Sequence, residues 1–163
     1  MHEARLDVND QAAVAAAFAR LDGEGIAVDV LVNNAGVQWR QPMVDMSTAG
    51  WRRVLETNLT SAFVVGREAA RRMLPRGRGK IVSTGSLMSE PARATIAPCT
   101  VAKGGIKMQT RAMAAKWAQR GIQANAIGPG HMLTDMNQAL VDDAAFAWRK
   151  GRTPPCRRAG WKS

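Results

Sequence analysis

The chain has 163 residues, 46% of them hydrophobic, which is enough for one domain with a buried core. Its 23 Lys and Arg outnumber 13 Asp and Glu, giving a formal net charge of +10, but the basic residues are scattered without interleaved aromatic residues, a pattern that disfavours nucleic-acid binding. No apolar run approaches the ~18 residues of a membrane helix, and the first residues lack an apolar signal core. These features exclude a membrane protein and favour a cytoplasmic one.

The two cysteines, Cys99 and Cys156, lie far apart in the sequence and have no metal-like spacing. Neither a disulfide framework nor a metal site is expected, and two free thiols suit a reducing compartment.

Strand and helix patterns alternate along the chain. A strand end at 4–8 leads into a helix that Asn9 or Asp10 caps and that Gly23 stops. The later predicted elements are a buried strand at 28–32, a helix from Ser47 to a break at Pro75, a strand at 80–84, a helix at 98–119 and a strand at 123–127.

This alternation predicts an α/β protein with a partial doubly wound, Rossmann-like parallel sheet and helices on both faces. We assign residues 1–150 to this domain and 151–163 to an unstructured basic tail. Ligands of such sheets bind at the carboxyl ends of the strands. The candidate site therefore comprises the polar and glycine-containing segments that follow the strands, at 33–36, 86 and 128–130.

Each of these features has a simpler explanation when taken alone: Asn33 to Gly36 could be a tight turn, Ser86 a turn serine and Lys103 a solvated helix lysine. The ordered set is more specific. Together with Asp7, Val8, Asn58, Pro129, Gly130 and Thr134, it resembles the short-chain dehydrogenase/reductase family over nearly the whole chain.

The family's catalytic serine is followed thirteen positions later by a tyrosine and then, at i+4, by a lysine. Here Ser86 and Lys103 are in register, but position 99 is a cysteine, and the chain has no tyrosine. The resemblance implies that Ser86 binds the substrate oxygen and that Asn58 holds a water of the proton relay. It also implies that Lys103 assists the proton-transferring residue, which is replaced here by Cys99.

The resemblance also implies NADP or NAD as the cofactor. Its adenine would meet Asp7 and Val8, and Asn33, Ala35 and Gly36 would line it. Lys103 would hold the nicotinamide ribose, and Pro129, Gly130 and Thr134 would lie at the nicotinamide end. The residue that distinguishes NAD from NADP has no counterpart in this chain.

Within the family, residues 86–140 are similar to gluconate 5-dehydrogenases, which implies a sugar-acid or similar small-molecule substrate. Arg93 could meet the substrate carboxylate or could simply be a surface arginine. The intact family also implies a homo-oligomer.

Two departures weigh against activity. The family's glycine-rich phosphate turn and its last strand have no counterpart here, so we expect the chain to be truncated at both ends, and Cys99 replaces the tyrosine. The first hypothesis is therefore an NAD(P)-dependent oxidoreductase that is inactive as this chain. The alternative is a non-catalytic remnant that binds a nucleotide or a subunit weakly.

Overall fold

A parallel sheet of three strands organises the described part of the chain. The structure, a computed structural model, describes residues 3–90, 92 and 95–129. The strands are β1 (Val30–Asn33), β2 (Gly79–Thr84) and β3 (Ile122–Ile127), in the order β1-β2-β3. In the register of the sheet, Val32 lies beside Val82, which lies beside Asn125. The carboxyl ends of all three strands therefore meet at one edge, as predicted for this fold class.

Among the described residues, four α-helices accompany the sheet: α1 (Gln11–Gly23), α2 (Thr48–Leu55), α3 (Ser61–Arg76) and α4 (Ala97–Trp117). Side-chain caps fix the starts of α1 and α2, because Asp10 accepts hydrogen bonds from the N–H groups of Ala12 and Ala13, and Ser47 from that of Gly50. Single-turn 3-10 helices lie at Met43–Asp45, Leu87–Ser89 and Ala118–Arg120.

The long helix predicted from Ser47 is interrupted by a turn of π-helix, Glu56–Thr60, between α2 and α3. Hydrophobic periodicity cannot reveal a one-residue change in hydrogen-bond register, so the interruption is not predictable from the sequence pattern. Pro75 lies within the last turn of α3, and Gly77, whose φ of 63° is left-handed, caps the end of the helix after Arg76.

The core lies on one face of the sheet, where α1, α3 and α4 pack. Buried side chains from all three helices meet those of β2 and β3: Val14, Phe18, Val64, Met73, Ile81, Met113 and Ile122. The other face carries Val30, Val32 and Ile127, which are 55%, 59% and 52% exposed. The partial parallel α/β sheet predicted from the sequence is thus confirmed, and the helices described above lie on one of its faces.

The predicted strand at 4–8 is not part of the described sheet, although Leu6 packs against the core. The other predicted strands and helices are present, with ends that differ by at most two residues from the predicted ones. The predicted domain boundary at residue 150 and the basic tail lie outside the described residues.

Candidate active site

A cavity of about 330 Å³ opens at the carboxyl ends of β1 and β2. Its walls bring together five of the residues predicted from the sequence, from segments that are far apart in the chain: Val8, Asn33, Ala35, Asn58 and Lys103. The remaining walls are Val32, Asn34, Ser61, Ala62, Val65, Thr84 and Ile106. The cavity therefore lies where a doubly wound sheet binds its ligands.

Asn33 and Asn34 both bond within the protein. The amide of Asn33 donates to the carbonyl oxygen of Ala62 at 3.3 Å and to Ser83 Oγ at 3.5 Å, so it ties β1 to α3 and β2. The Asn34 amide oxygen accepts from Thr84 Oγ1 at 2.8 Å, which joins the ends of β1 and β2. These amides hold the cavity wall together. Gly36 follows them and lies beside Asn58.

Asn58 is 4% exposed and lies in the turn of π-helix. Its side-chain amide donates to the carbonyl oxygen of Val37 at 2.9 Å, and its amide oxygen accepts from the N–H of Val37 at 2.7 Å. A turn of π-helix inside a longer helix is frequent at functional sites. Here it places a buried amide against the segment that follows β1.

Lys103 lies on α4 and reaches the cavity edge. Its Nζ donates to the carbonyl oxygen of Thr84, the last residue of β2. Burial lowers the pKa of Lys103 below 10.5, and the nearby charge of Cys99 opposes this effect without cancelling it. In the described part of the chain, no carboxylate forms an ion pair with this lysine.

Cys99 lies one turn before Lys103 on α4 and is half-buried. Its Sγ is 3.9 Å from the carbonyl oxygen of Val37, a weak contact, and Cys99 is not among the residues that line the cavity. The predicted i, i+4 relation to Lys103 is thus present, but the thiol stops short of the cavity that the lysine reaches.

Ser86 follows β2 and caps the short 3-10 helix at Leu87–Ser89. Its Oγ accepts from the N–H of Met88 at 3.0 Å, while Ser89 Oγ accepts from the N–H of Ser86 at 3.2 Å. This reciprocal capping fixes the serine side chain. The Ser86 hydroxyl donates no hydrogen bond within the described residues, and Ser86, like Cys99, is not among the residues that line the cavity.

The other predicted cofactor residues are dispersed. The exposed Asp7 accepts a hydrogen bond from the N–H of Asn9 at 2.9 Å. Pro129 lies in the segment after β3. The end of β3 is held beside the end of β2, because the N–H of Gly85 donates to the carbonyl oxygen of Ile127 at 2.7 Å. Gly130, Thr134 and Arg93 lie outside the described residues. The sequence pattern does not predict Val37 as a site residue. Only its backbone atoms bond to Asn58, and backbone atoms are common to every residue.

The described residues contain no group of three or more His, Cys, Asp or Glu side chains arranged to hold a metal ion. Nor does any helix among them have the length and apolar character needed to cross a membrane.

The fold and the site correspond to a known family. The family model described as short chain dehydrogenase matches residues 1–145. The chain belongs to this family of oxidoreductases, which confirms the sequence prediction.

Two relatives of the chain are named for more specific activities than the family is. The chain is 43% identical over 152 residues to gluconate 5-dehydrogenase of Gluconobacter oxydans, covering 93% of this chain and 59% of that protein. It is 44% identical over 131 residues to 5-keto-D-gluconate 5-reductase of Escherichia coli, covering 80% and 52%. The chain thus spans little more than half the length of these relatives.

Solved structures agree with this similarity. A gluconate 5-dehydrogenase from Burkholderia cenocepacia, in complex with NADP and tartrate, aligns with a TM-score of 0.87 at 45% identity over 91% of this chain and 59% of that one. A candidate gluconate dehydrogenase from Agrobacterium tumefaciens aligns with a TM-score of 0.88 at 69% identity, again over 91% of this chain and 59% of that one.

Proposed function

We propose that this chain carries the nicotinamide half of an NAD(P)-dependent sugar-acid dehydrogenase of the gluconate 5-dehydrogenase type, and that it does not turn over as it stands. The observation that carries the proposal is the relation between Lys103 and Cys99. The lysine reaches the cavity, whereas the thiol lies outside its walls.

The residues at the cavity fit a nicotinamide cofactor. Lys103 presents a desolvated amine whose described hydrogen-bond partner is a neutral carbonyl, so a ribose hydroxyl could serve as a further partner. Asn33, Ala35 and Val8 contribute to the cavity wall. Gly36, Pro129 and Asp7 are assigned through the family, as are Gly130 and Thr134. When bound, the nicotinamide would exchange hydride with the substrate carbon.

The protein's own contribution would be to bind and orient the substrate oxygen. Ser86 is held by its capping bonds with its hydroxyl hydrogen available, which suits donation to a carbonyl oxygen. Asn58 fixes the segment at Val37 beside Cys99. The missing step is proton transfer. A cysteine sulfur lies one bond beyond Cβ, whereas a tyrosine oxygen lies across a ring. Proton transfer by a well-placed acid or base contributes a factor of about 10²–10⁴ to the rate, and a misplaced group loses most of that factor.

The substrate class is proposed from the relatives, which are named for gluconate and 5-keto-D-gluconate. A cytoplasmic location is proposed from the cysteine usage, and homo-oligomeric assembly from the family.

The test is gluconate-dependent reduction of NADP by three forms of the chain, each also prepared fused to the amino-terminal segment of the Gluconobacter oxydans relative. The forms are the unmodified chain, Cys99→Tyr and Cys99→Phe. We expect turnover only from the fused Cys99→Tyr form, because Cys99→Phe supplies the ring without the hydroxyl. Turnover by the unmodified chain would overturn the proposal and make Cys99 a working acid or base.

A non-catalytic subunit-binding role is the second candidate. It is favoured by the exposed apolar side chains of Val30, Val32 and Ile127 on one face of the sheet, because parallel sheets are ordinarily covered on both faces. Turnover separates this role from the first, since a subunit-binding remnant shows none in any form, including the fused Cys99→Tyr form, whereas both roles allow self-association in sedimentation.

A further inference from the structure

Lys103 is the only ionisable side chain among the described residues that line the cavity. Its Nζ donates to the carbonyl oxygen of Thr84, and no described carboxylate compensates its charge. An amine in this position has a route to ligands through the cavity, and burial disfavours its ammonium form.

The surroundings of the Lys103 amine also disfavour its protonated form. Val32, Val65 and Ile106 contribute apolar wall, and burial lowers the pKa of Lys103 below 10.5 despite the opposing charge of Cys99. Desolvation is one of the ways in which a lysine amine is made nucleophilic.

Several polar groups of the wall already form hydrogen bonds within the protein. Ser61 Oγ donates to Thr57 O at 2.6 Å, and Thr84 Oγ1 donates to Asn34 Oδ1 at 2.8 Å. Both the nitrogen and the oxygen of the Asn58 side-chain amide are hydrogen-bonded to the backbone of Val37. The amine of Lys103 is therefore the group in this wall best suited to react with a ligand.

We propose that Lys103 forms a reversible imine with a small aldehyde or ketone that enters this cavity. The nitrogen lone pair attacks the carbonyl carbon, a C–N bond forms and the C–O π bond breaks to give a carbinolamine. The carbinolamine then loses its hydroxyl group as water, and the C=N bond forms. The oxygen of that water comes from the carbonyl group and its two hydrogens come from the amine. No oxidant or reductant is consumed. The volume of about 330 Å³ accommodates a ligand of this size.

The experiment traps the imine by reduction. The full chain is incubated at neutral pH with glyceraldehyde and sodium cyanoborohydride, and the modified lysines are quantified against time by peptide mass spectrometry. We expect secondary-amine formation at Lys103 to be severalfold faster than at the exposed Lys80 and Lys116. No nicotinamide nucleotide is present, so the result is independent of the proposed dehydrogenase function.

Two controls accompany the measurement. Lys107, one turn further along α4, is ion-paired with Glu90. Lys107→Arg should leave the modification of Lys103 unchanged. Lys103→Arg should remove the rapidly modified site and leave the other lysines unaffected. In urea, the preference for Lys103 should disappear. Native modification no faster at Lys103 than at Lys80, or a preference that persists in urea, would refute the proposal.

Discussion

The side-chain amide of Asn58 makes both of its described hydrogen bonds to the backbone of one residue, Val37, at 2.7 and 2.9 Å. The turn of π-helix is thereby locked to the segment that leaves β1. The same Val37 carbonyl oxygen is the partner of Cys99 Sγ at 3.9 Å. A buried amide on one helix thus supports the segment against which the thiol of another helix rests.

Replacing Asn58 with Ala should destabilise the fold. Both backbone groups of Val37 would lose their partner, and each unsatisfied group costs about 1–3 kcal/mol when buried, so we expect a loss of about 2 kcal/mol or more in the free energy of unfolding. Urea unfolding measures it. The matched control is Asn125→Ala, an exposed amide on β3, which should change stability by less than about 0.5 kcal/mol. Equal effects of the two changes would mean that the Val37 bonds contribute nothing.

The lowered pKa of Lys103 predicts a dependence of stability on pH. Between that lowered pKa and the ordinary value of 10.5, the unfolded chain binds more protons than the folded chain, so stability rises with pH across this window. The penalty of burying the charge applies in full below the folded pKa. The interaction of Lys103 with Cys99 opposes this lowering without cancelling it.

Urea unfolding at several pH values checks this for the unmodified chain, Lys103→Met and the exposed-site control Lys116→Met. The unmodified chain and Lys116→Met should gain stability in parallel as pH rises, and Lys103→Met should lack that gain. Three parallel curves would show that Lys103 titrates alike in both states.

Gly121 is predicted to be far less tolerant of a side chain than Gly25. Both have positive φ, +78° and +71°, so Ala at either position incurs left-handed strain of about 1–2 kcal/mol. At Gly121 a Cβ would also lie 1.9 Å from the carbonyl oxygen of Gly77, whereas at Gly25 nothing lies within 4 Å. Thermal unfolding of Gly121→Ala and Gly25→Ala measures the clash as the difference between them. Equal losses would mean that the Gly77 turn moves aside freely.

The exposed face of the sheet should promote self-association. Val30 and Val32 are more than half exposed and lie on one face, and contiguous apolar surface of this kind favours association. Val30→Thr combined with Val32→Thr should lower the apparent mass in analytical ultracentrifugation. Val44→Thr serves as the control, because Val44 is 94% exposed and lies in a short 3-10 helix outside the sheet. A monomeric unmodified chain would contradict the prediction.

Much of the architecture could be predicted from the sequence because its signals are local. Short apolar runs gave β1 to β3, and the spacing of Val14, Phe18 and Leu21 gave α1. The i, i+4 relation of Cys99 and Lys103 is a property of any helix, so their shared face needed no coordinates. The family followed from motifs at fixed intervals, and the short chain dehydrogenase match confirms it.

Only the tertiary structure decided which of these residues meet. That Lys103 reaches the cavity while Cys99 does not depends on how α4 packs against the end of β2, a contact between distant segments. The partnership of Asn58 with Val37 uses backbone atoms, which every residue possesses, so no side-chain pattern could reveal it. The lowered pKa of Lys103 likewise arises from burial, and burial is set by the whole packed arrangement rather than by neighbours in the chain.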